Sequence, residues 1–169
     1  MPHRPEREEA GRQASVTGFA NEHIVVGILM QKYSNVSLVD LPLSSYDIVL
    51  VRHIGNEDDF TRIQVKTARN RISFIGGSRG GVDRNFKPGE NIPKTYKQST
   101  LTSDVICGVH TNEDNSFDLF FIPTIIVERL KQKSISLNKI QAFKDYEFLE
   151  RCKDIDWVLS KAKELKLLS

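Results

Sequence analysis

Side chains at four polar positions could converge at one end of a predicted strand pair. Asp47 begins an apolar run, and Gln64 and Lys66 occur in a second run, where the alternation of side chains along a strand puts them on one face. The sequence GNEDD at residues 55–59 is typical of a turn and would join the two runs as a β-hairpin. Pairing through this turn brings Asp47 close to Gln64 and Lys66, and Glu22 of a preceding helix could reach the same place.

This set of side chains suits a hard divalent cation and the hydrolytic chemistry that such an ion supports. Mg²⁺ prefers about six oxygen ligands, usually one or two carboxylates completed by waters and substrate phosphate. Asp47 is the expected principal ligand, with the backbone carbonyl of Val65 second, the neutral carbonyl oxygen of Gln64 available, and Glu22 binding directly or through water. The ammonium of Lys66 has no lone pair, so we expect it to orient or help deprotonate an attacking water and to offset charge on the phosphate.

Each of these residues also has a purely structural interpretation. Lys66 and Asp47 could form a buried salt bridge, since lysine is almost never fully buried without a partner. Asp47 could cap a strand or a turn, and Gln64 could be a core amide whose hydrogen bonds are satisfied. A carboxylate on a core-facing helix stripe is costly unless paired, and Arg52 or Lys66 would explain Glu22 without catalysis.

The elements that must position these residues begin with a helix. The chain is polar and charged over residues 1–14, which predicts a flexible N-terminal arm. A helix is predicted to open near Ser15 or Thr17 and to run to about residue 33. Its apolar residues recur at near-helical spacing and predict a core-facing stripe formed by Phe19, Val26, Leu29 and Tyr33.

Short strand-type runs and a glycine-rich segment follow. Strands are predicted at 36–41, 46–52, 60–68, 104–110 and 117–122, with a helix starting at Pro123. Five of the ten glycines occur in residues 76–89, where no hydrophobic periodicity is visible, so a basic loop is predicted there. We see no domain boundary within residues 15–169 and expect one α/β domain.

Composition excludes several classes of protein. The 169 residues are 39% hydrophobic and 27% charged, with a mean hydropathy of −0.35, which is typical of a soluble globular protein. No apolar run reaches the roughly 20 residues of a membrane span, and the N-terminal segment has no apolar core of a secretory signal. Two cysteines cannot form a disulfide framework or a four-cysteine zinc site, so the expected location is the cytoplasm, with no membrane partner.

Positive charge is concentrated in one segment although the net charge is only +2. Residues 66–97 hold eight basic and two acidic side chains, which indicates a polyanionic partner, although a solvated surface loop is an equally ordinary explanation of the charge. The residues we expect to contact a phosphate backbone are Arg69, Arg71, Arg79, Arg84, Lys87, Lys94 and Lys97.

The order and spacing of the polar positions resemble a known family. Glu22, then YDIV at 46–49, then QVKTA at 64–68 resemble the PD-(D/E)XK nuclease superfamily, in the branch where Gln replaces the second acidic residue. That branch includes a group I intron homing endonuclease, and restriction endonucleases and archaeal-type Holliday junction resolvases are similar in the same core. The likeness covers residues 15–75, and residues 104–127 continue the usual order of elements.

The resemblance implies a fold and a function. The expected fold is α/β and restriction-endonuclease-like, a mixed central sheet flanked by helices in the order α-β-β-β-α-β. The expected activity is Mg²⁺-dependent hydrolysis of DNA phosphodiesters, with Mn²⁺ able to substitute, and with Glu22, Asp47, Gln64 and Lys66 as catalytic residues. The substrate would be double-stranded or branched DNA, and cleavage of both strands implies a homodimer or tetramer.

Three alternatives stay open on the sequence. A Holliday junction resolvase would use the same core and prefer four-way junctions. A catalytically inactive DNA-binding or assembly subunit would keep the fold, and the replacement of an acid by Gln64, which removes one negative charge from the site, favours this reading. A plain interaction protein would show no salt-dependent affinity for DNA at all.

Overall fold

The chain folds around a five-stranded mixed β-sheet flanked by helices, and the computed structural model describes residues 4–41, 44–77 and 95–168. The helices are α1 (Arg4–Met30), α2 (Thr124–Arg129), α3 (Glu147–Glu150) and α4 (Ile155–Glu164), with short 3-10 helices at Leu137–Lys139 and Gln141–Lys144. The strands are β1 (Val36–Leu38), β2 (Ile48–Ile54), β3 (Glu57–Thr67), β4 (Arg71–Ser73), β5 (Ile75–Gly77), β6 (Thr95–Lys97), β7 (Val105–Thr111), β8 (Phe117–Pro123) and β9 (Ser134–Ser136). The central sheet has the order β1-β2-β3-β7-β8, which confirms the expected mixed sheet flanked by helices.

The predicted hairpin of β2 and β3 is confirmed, but its turn is shorter than predicted, because residues 57–59 of the expected turn 55–59 belong to β3. The two strands pair antiparallel, with Ile48 opposite Ile63 at one end and Ile54 opposite Glu57 at the other. The turn between them contains Gly55 at a φ of +64°, a left-handed conformation that glycine adopts without steric cost. This register puts the start of β2 beside the middle of β3, where the polar residues of β3 lie.

The central pair of strands, β3 and β7, is parallel, so the chain must cross over between them. In its described part this crossover consists of β4, β5 and β6, at the place where the expected element order has a helix. Strand β4 pairs with β9, and β5 pairs with β6, in two small sheets beside the main one. The predicted glycine-rich loop 76–89 begins inside β5, and its residues 78–89 lie outside the described residues.

The first helix differs from its prediction in its start and in its buried face. It begins at Arg4, so the described part of the segment expected to be a flexible arm is helical. Proline is tolerated in the first turn of a helix, and charged side chains can pair along an exposed helix, as Arg12 and Glu9 do at 3.7 Å. The fully buried side chains of its described part are Asn21, Val25 and Leu29, spaced by four residues.

The predicted stripe of the first helix is therefore wrong at its N-terminal end. Phe19 is 64% exposed, whereas Leu29 is buried and Val26 and Tyr33 pack against the core, as predicted. The stripe that packs on β1 and β3 is shifted around the helix, and it contains a polar residue, Asn21, which a search for apolar spacing passes over. Among the described residues, no helix has the length and apolar character that crossing a bilayer requires.

A half-buried ion pair ties the β2–β3 hairpin to the C-terminal part of the chain. Arg52 donates to Asp59 at 2.8 Å and to the carbonyl of Glu150 at 2.5 Å, and Lys153 also pairs with Asp59. Burial opposes ionisation of the Asp59 carboxyl, but the hydrogen bonds from Lys153 and Arg52 outweigh it, so its pKa is lowered. The charged form of Asp59 is thus stabilised in the folded protein.

Replacing Asp59 by Asn is expected to lower the free energy of unfolding by about 1 kcal/mol at pH 7, because the pair is partly exposed to solvent. A carboxyl with a lowered folded-state pKa stabilises the protein above its unfolded-state pKa, and this contribution disappears as pH falls through the folded-state value. The difference between wild type and Asp59→Asn should therefore be full at pH 7 and shrink below about pH 4. Urea denaturation across that range measures it, and a difference that does not depend on pH would contradict the assignment.

Candidate functional site

A cleft of about 960 Å³ opens between α1, the end of the hairpin and the short strands after β3. All four side chains that the sequence predicted for chemistry line it: Glu22 from α1, Asp47 just before β2, and Gln64 and Lys66 from β3. Val65 lines it as well. The structure therefore brings the four predicted catalytic residues and the predicted carbonyl ligand together in one place.

Asp47 is held rigidly at the edge of the sheet. Its main-chain N–H donates to the carbonyl of Ile63 at 2.9 Å, and its own carbonyl accepts from the N–H of Val39 at 2.8 Å. One carboxylate oxygen, Oδ2, accepts two further hydrogen bonds, from the main-chain N–H of Val65 at 2.7 Å and from the amide of Gln64 at 2.5 Å. The main-chain bonds thus hold residue 47 against the neighbouring strands, and the bonds to Oδ2 orient its half-buried carboxylate.

The Gln64 side chain has its nitrogen toward Asp47 and its oxygen toward the interior. Nε2 donates to Asp47 and lies 3.3 Å from the carbonyl oxygen of Val65, whereas Oε1 accepts from Nε2 of Gln98 at 3.4 Å. A cation ligand would need the opposite orientation, with the amide oxygen facing Asp47. The predicted role of Gln64 as a metal ligand therefore stays a prediction, and it requires the amide to turn.

Lys66 extends into the cleft from the face of β3 that it shares with Gln64. Residues Ile63 and Val65 are buried on the opposite face, as alternation along the strand predicts. The ammonium Nζ donates to the carbonyl of Ile75 in β5 at 3.1 Å. Strand β5, the second short strand after the β2–β3 hairpin, thus helps to hold the charge of Lys66 in the cleft.

Glu22 reaches the cleft because the helix is anchored one residue earlier. Asn21 is 4% exposed, and its amide donates to the hydroxyl of Thr67 at the end of β3 at 2.8 Å. This bond sets the position of α1 over the sheet and so the place where Glu22 meets the cleft. Arg52, one of the two structural partners suggested for Glu22, donates to Asp59.

The oxygen atoms available in the cleft can be compared with the ligands that Mg²⁺ prefers. Two carboxylates, Asp47 and Glu22, line the cleft with Val65, whose carbonyl oxygen is a hard ligand of the kind that Mg²⁺ takes. Within residues 4–41, 44–77 and 95–168 no group of three or more His, Cys, Asp or Glu side chains is arranged to hold a metal. The residues present therefore fit an ion that keeps several waters or substrate oxygens, as Mg²⁺ usually does, and do not form an all-protein cage.

The predicted phosphate-contacting residues divide into three groups. Arg69 and Arg71 line the cleft beside the polar residues. Lys97 does not line it; its ammonium donates to the carbonyl of Leu130. The others lie outside the described residues: Arg79, Arg84, Lys87 and Lys94.

Sequence reasoning missed two buried amides that support the site. Asn21 lies four and eight residues before Val25 and Leu29, so the correct helical phase would have identified it as a core position. Gln98 is 1% exposed and touches Gln64, but it follows a three-residue strand in a segment with no periodic pattern. No sequence signal distinguished Gln98 from a surface glutamine.

The fold is similar to that of a bacterial homing endonuclease, I-Ssp6803I. The two structures superpose with a TM-score of 0.50 over 73% of this chain and 76% of that one, and 14% of the aligned residues are identical. At this level of identity the likeness shows a shared fold. No family model matches the chain, and no curated protein matches it.

Proposed function

We propose that this protein is a metal-dependent DNA endonuclease of the homing or restriction type. The observation that carries the proposal is the convergence of Glu22, Asp47, Gln64 and Lys66 on one cleft beside two arginines. The shared fold with a bacterial homing endonuclease supports it, as do the positive charges of Lys66, Arg69 and Arg71, which line the cleft. The finer assignment, to the Gln-x-Lys branch of the PD-(D/E)XK superfamily, belongs to the same proposal.

Each side chain has a role that follows from its place. Asp47 and Glu22, with the carbonyl of Val65, would hold Mg²⁺ or Mn²⁺. When bound, such an ion supplies Lewis-acid stabilisation of the phosphate and lowers the pKa of a water. Lys66 would orient the attacking water and offset the negative charge that develops on the phosphate, while Gln64 keeps the Asp47 carboxylate in position.

Arg69 and Arg71 are proposed to hold the DNA backbone next to the cleft. Replacing both by Ala is expected to weaken DNA binding about 10-fold at moderate salt and to lower the slope of log affinity against log salt by about 2, since two phosphate contacts are lost. Fluorescence anisotropy of a labelled duplex over a salt series measures both quantities.

The matched control removes the same charge elsewhere. Arg129 and Lys139 are exposed and do not line the cleft, so Arg129→Ala/Lys139→Ala should keep the wild-type slope. An equal loss of slope in both double variants would mean that the effect is one of net charge, and the assignment of the two arginines would be wrong.

A homodimer or tetramer is part of the proposal. One cleft carries one set of hydrolytic residues, and cutting both strands of a duplex needs two such sites in a symmetric arrangement. Light scattering coupled to size-exclusion chromatography, with and without duplex DNA, gives the mass. A strict monomer in both conditions would limit the activity to nicking.

The experiment that tests the function uses purified full-length protein with supercoiled plasmid and with a four-way junction, in Mg²⁺, Mn²⁺ or EDTA. Nicking or linearisation of plasmid that requires the metal supports the proposal. Preferential cleavage of the junction would assign a resolvase instead. DNA binding with no cleavage of any substrate in either metal would overturn the enzymatic proposal.

A second candidate function is favoured by one observation. Gln64 places a neutral amide beside Asp47 in the cleft, where the resemblance implies a second carboxylate. A DNA-binding or assembly subunit without catalysis would have no need of that second negative charge. It predicts tight, salt-dependent DNA binding in the presence of EDTA and no effect of Mg²⁺ on the protein.

A further inference from the structure

Gln98 is a buried polar residue that the proposed reaction does not use. It is 1% exposed and follows β6, and its main-chain N–H donates to the carbonyl of Phe74 at 2.7 Å. Its side chain lies behind Gln64, on the interior side of the cleft. A buried amide is costly unless its donors and acceptors are matched, so the direction of its hydrogen bonds is informative.

These hydrogen bonds form a chain that ends at the Asp47 carboxylate. The hydroxyl of Thr102 and that of Ser103 lie 2.5 Å and 3.3 Å from Oε1 of Gln98. Nε2 of Gln98 then donates to Oε1 of Gln64, and Nε2 of Gln64 donates to Oδ2 of Asp47. Two amides in series therefore connect the half-buried hydroxyl of Thr102 and the buried hydroxyl of Ser103 to the Asp47 carboxylate.

The donor-to-acceptor direction of this series of hydrogen bonds can reverse only if the amides of Gln64 and Gln98 turn together. An amide has donors at one end and an acceptor at the other, whereas a hydroxyl can do either. The Thr102 hydroxyl has another acceptor nearby for its proton, because it lies 2.9 Å from the carbonyl of Ser99. It also accepts from the N–H of Ser99 at 2.9 Å. Turning Gln64 alone would bring its Nε2 against Nε2 of Gln98, so that two donors would face each other.

Reversing the direction of these hydrogen bonds would place an acceptor opposite the Asp47 carboxylate. With both amides turned, Oε1 of Gln64 would face Asp47, and two acceptors facing each other are unfavourable unless a cation lies between them. The observed direction of these hydrogen bonds suits a site without an ion, and the reversed direction suits a site with one. The orientation of Gln98 therefore decides whether Gln64 offers Asp47 a donor or offers an ion a ligand.

The space that Gln98 occupies exists because Gly76 lacks a side chain. A Cβ at Gly76 would lie 2.8 Å from Nε2 of Gln98 and 2.6 Å from the ring of Tyr96. Any other residue would push against the Gln98 amide. The packing of β5 against β6 thus leaves room at Gly76 for the Gln98 amide that contacts Gln64.

We propose that Gln98 is a positioning residue that sets which end of the Gln64 amide faces Asp47, and that binding of a divalent cation turns the two amides together. The inference rests on the proposed function, because it assumes that the cleft takes a cation. It adds a buried residue that touches neither substrate nor ion and that controls the affinity of the site for metal.

The test compares the Mn²⁺ affinity of two Gln98 variants with that of wild type, in protein without DNA. Electron paramagnetic resonance of the free ion measures how much Mn²⁺ is bound. Gln98→Met removes the acceptor that the turned Gln64 needs, and Mn²⁺ binding should weaken at least ~10-fold, the effect expected when a group supporting a metal ligand is lost. Gln98→Glu keeps an acceptor for the Gln64 nitrogen in either protonation state of the carboxyl, so its Mn²⁺ affinity should equal or exceed that of wild type. Gln132→Met, at an exposed glutamine, is the matched control.

A second measurement needs no variant and so does not depend on how the substitutions fold. In wild-type protein labelled with ¹⁵N, the side-chain amide signals of Gln64 and Gln98 should move together during a Mg²⁺ titration, with the same midpoint. If only the Gln64 signal moves, or if Gln98→Met binds Mn²⁺ as tightly as wild type, the proposed role of Gln98 is wrong. The nuclease proposal would be unaffected by either result. Wild-type protein that binds no Mn²⁺ would overturn both.

Discussion

Replacement of Lys66 by alanine is expected to lower metal-dependent DNA cleavage by about 100- to 1000-fold while leaving DNA binding within a factor of about 3. The ammonium is held in the cleft by β3 and by the carbonyl of Ile75, close to the residues that would hold an ion. Its charge matters most where negative charge develops on the phosphate, so its loss should reduce the rate constant of cleavage far more than affinity. Single-turnover cleavage of plasmid by saturating protein separates the two effects.

The control for this prediction is a lysine outside the cleft. Lys139→Ala removes the same charge from an exposed position and should cleave at the wild-type rate. Circular dichroism and a melting curve establish that Lys66→Ala is folded. Undiminished cleavage by folded Lys66→Ala would mean that the reaction does not occur in this cleft, or that it belongs to a contaminating nuclease.

Substitution of Asp47 by Asn should remove activity with little change in stability. The hydrogen bonds that Asp47 accepts from Val65 and from Gln64 fall on the single oxygen Oδ2. The amide oxygen of Asn can take that position and keep both bonds, so the free energy of unfolding should stay within about 1 kcal/mol of wild type. The lost negative charge is the one on which a divalent ion depends, and cleavage should fall at least ~100-fold.

Asp118→Asn is the matched control because it also removes one half-buried carboxylate charge, from β8 and away from the cleft. It should retain cleavage and Mn²⁺ binding. Urea denaturation gives the stability of both variants, and Mn²⁺ titration gives the affinity of the site. If Asp47→Asn binds Mn²⁺ as tightly as wild type, Asp47 is not the principal ligand, and its hydrogen bonds to β3 are its whole function.

The sequence was sufficient for the hairpin that forms the base of the site. An apolar run, a turn with glycine and a second run with alternating polar residues predicted the pairing of β2 with β3. The observed register keeps side chains such as Ile63 buried, since a shift of one residue would move them into solvent. The convergence of Asp47 with Gln64 and Lys66 was therefore predictable from local pattern. The start and the buried face of α1 were not, because the face that packs against the sheet includes a polar residue, Asn21, which bonds to a distant strand.

Only the tertiary structure decided the orientation of the groups at the site. The Gln64 amide bonds to Gln98, and Gln98 bonds to Thr102 and Ser103, which are distant from Gln64 in the chain. Lys97 is basic, like Arg69 and Arg71, yet it bonds to Leu130 while the two arginines line the cleft. Residue types and alternation determine which side chains share a strand face, since they act through neighbours in sequence. Hydrogen-bond direction depends on partners that only the packing of separate strands brings together, because each buried donor needs an acceptor within about 3 Å.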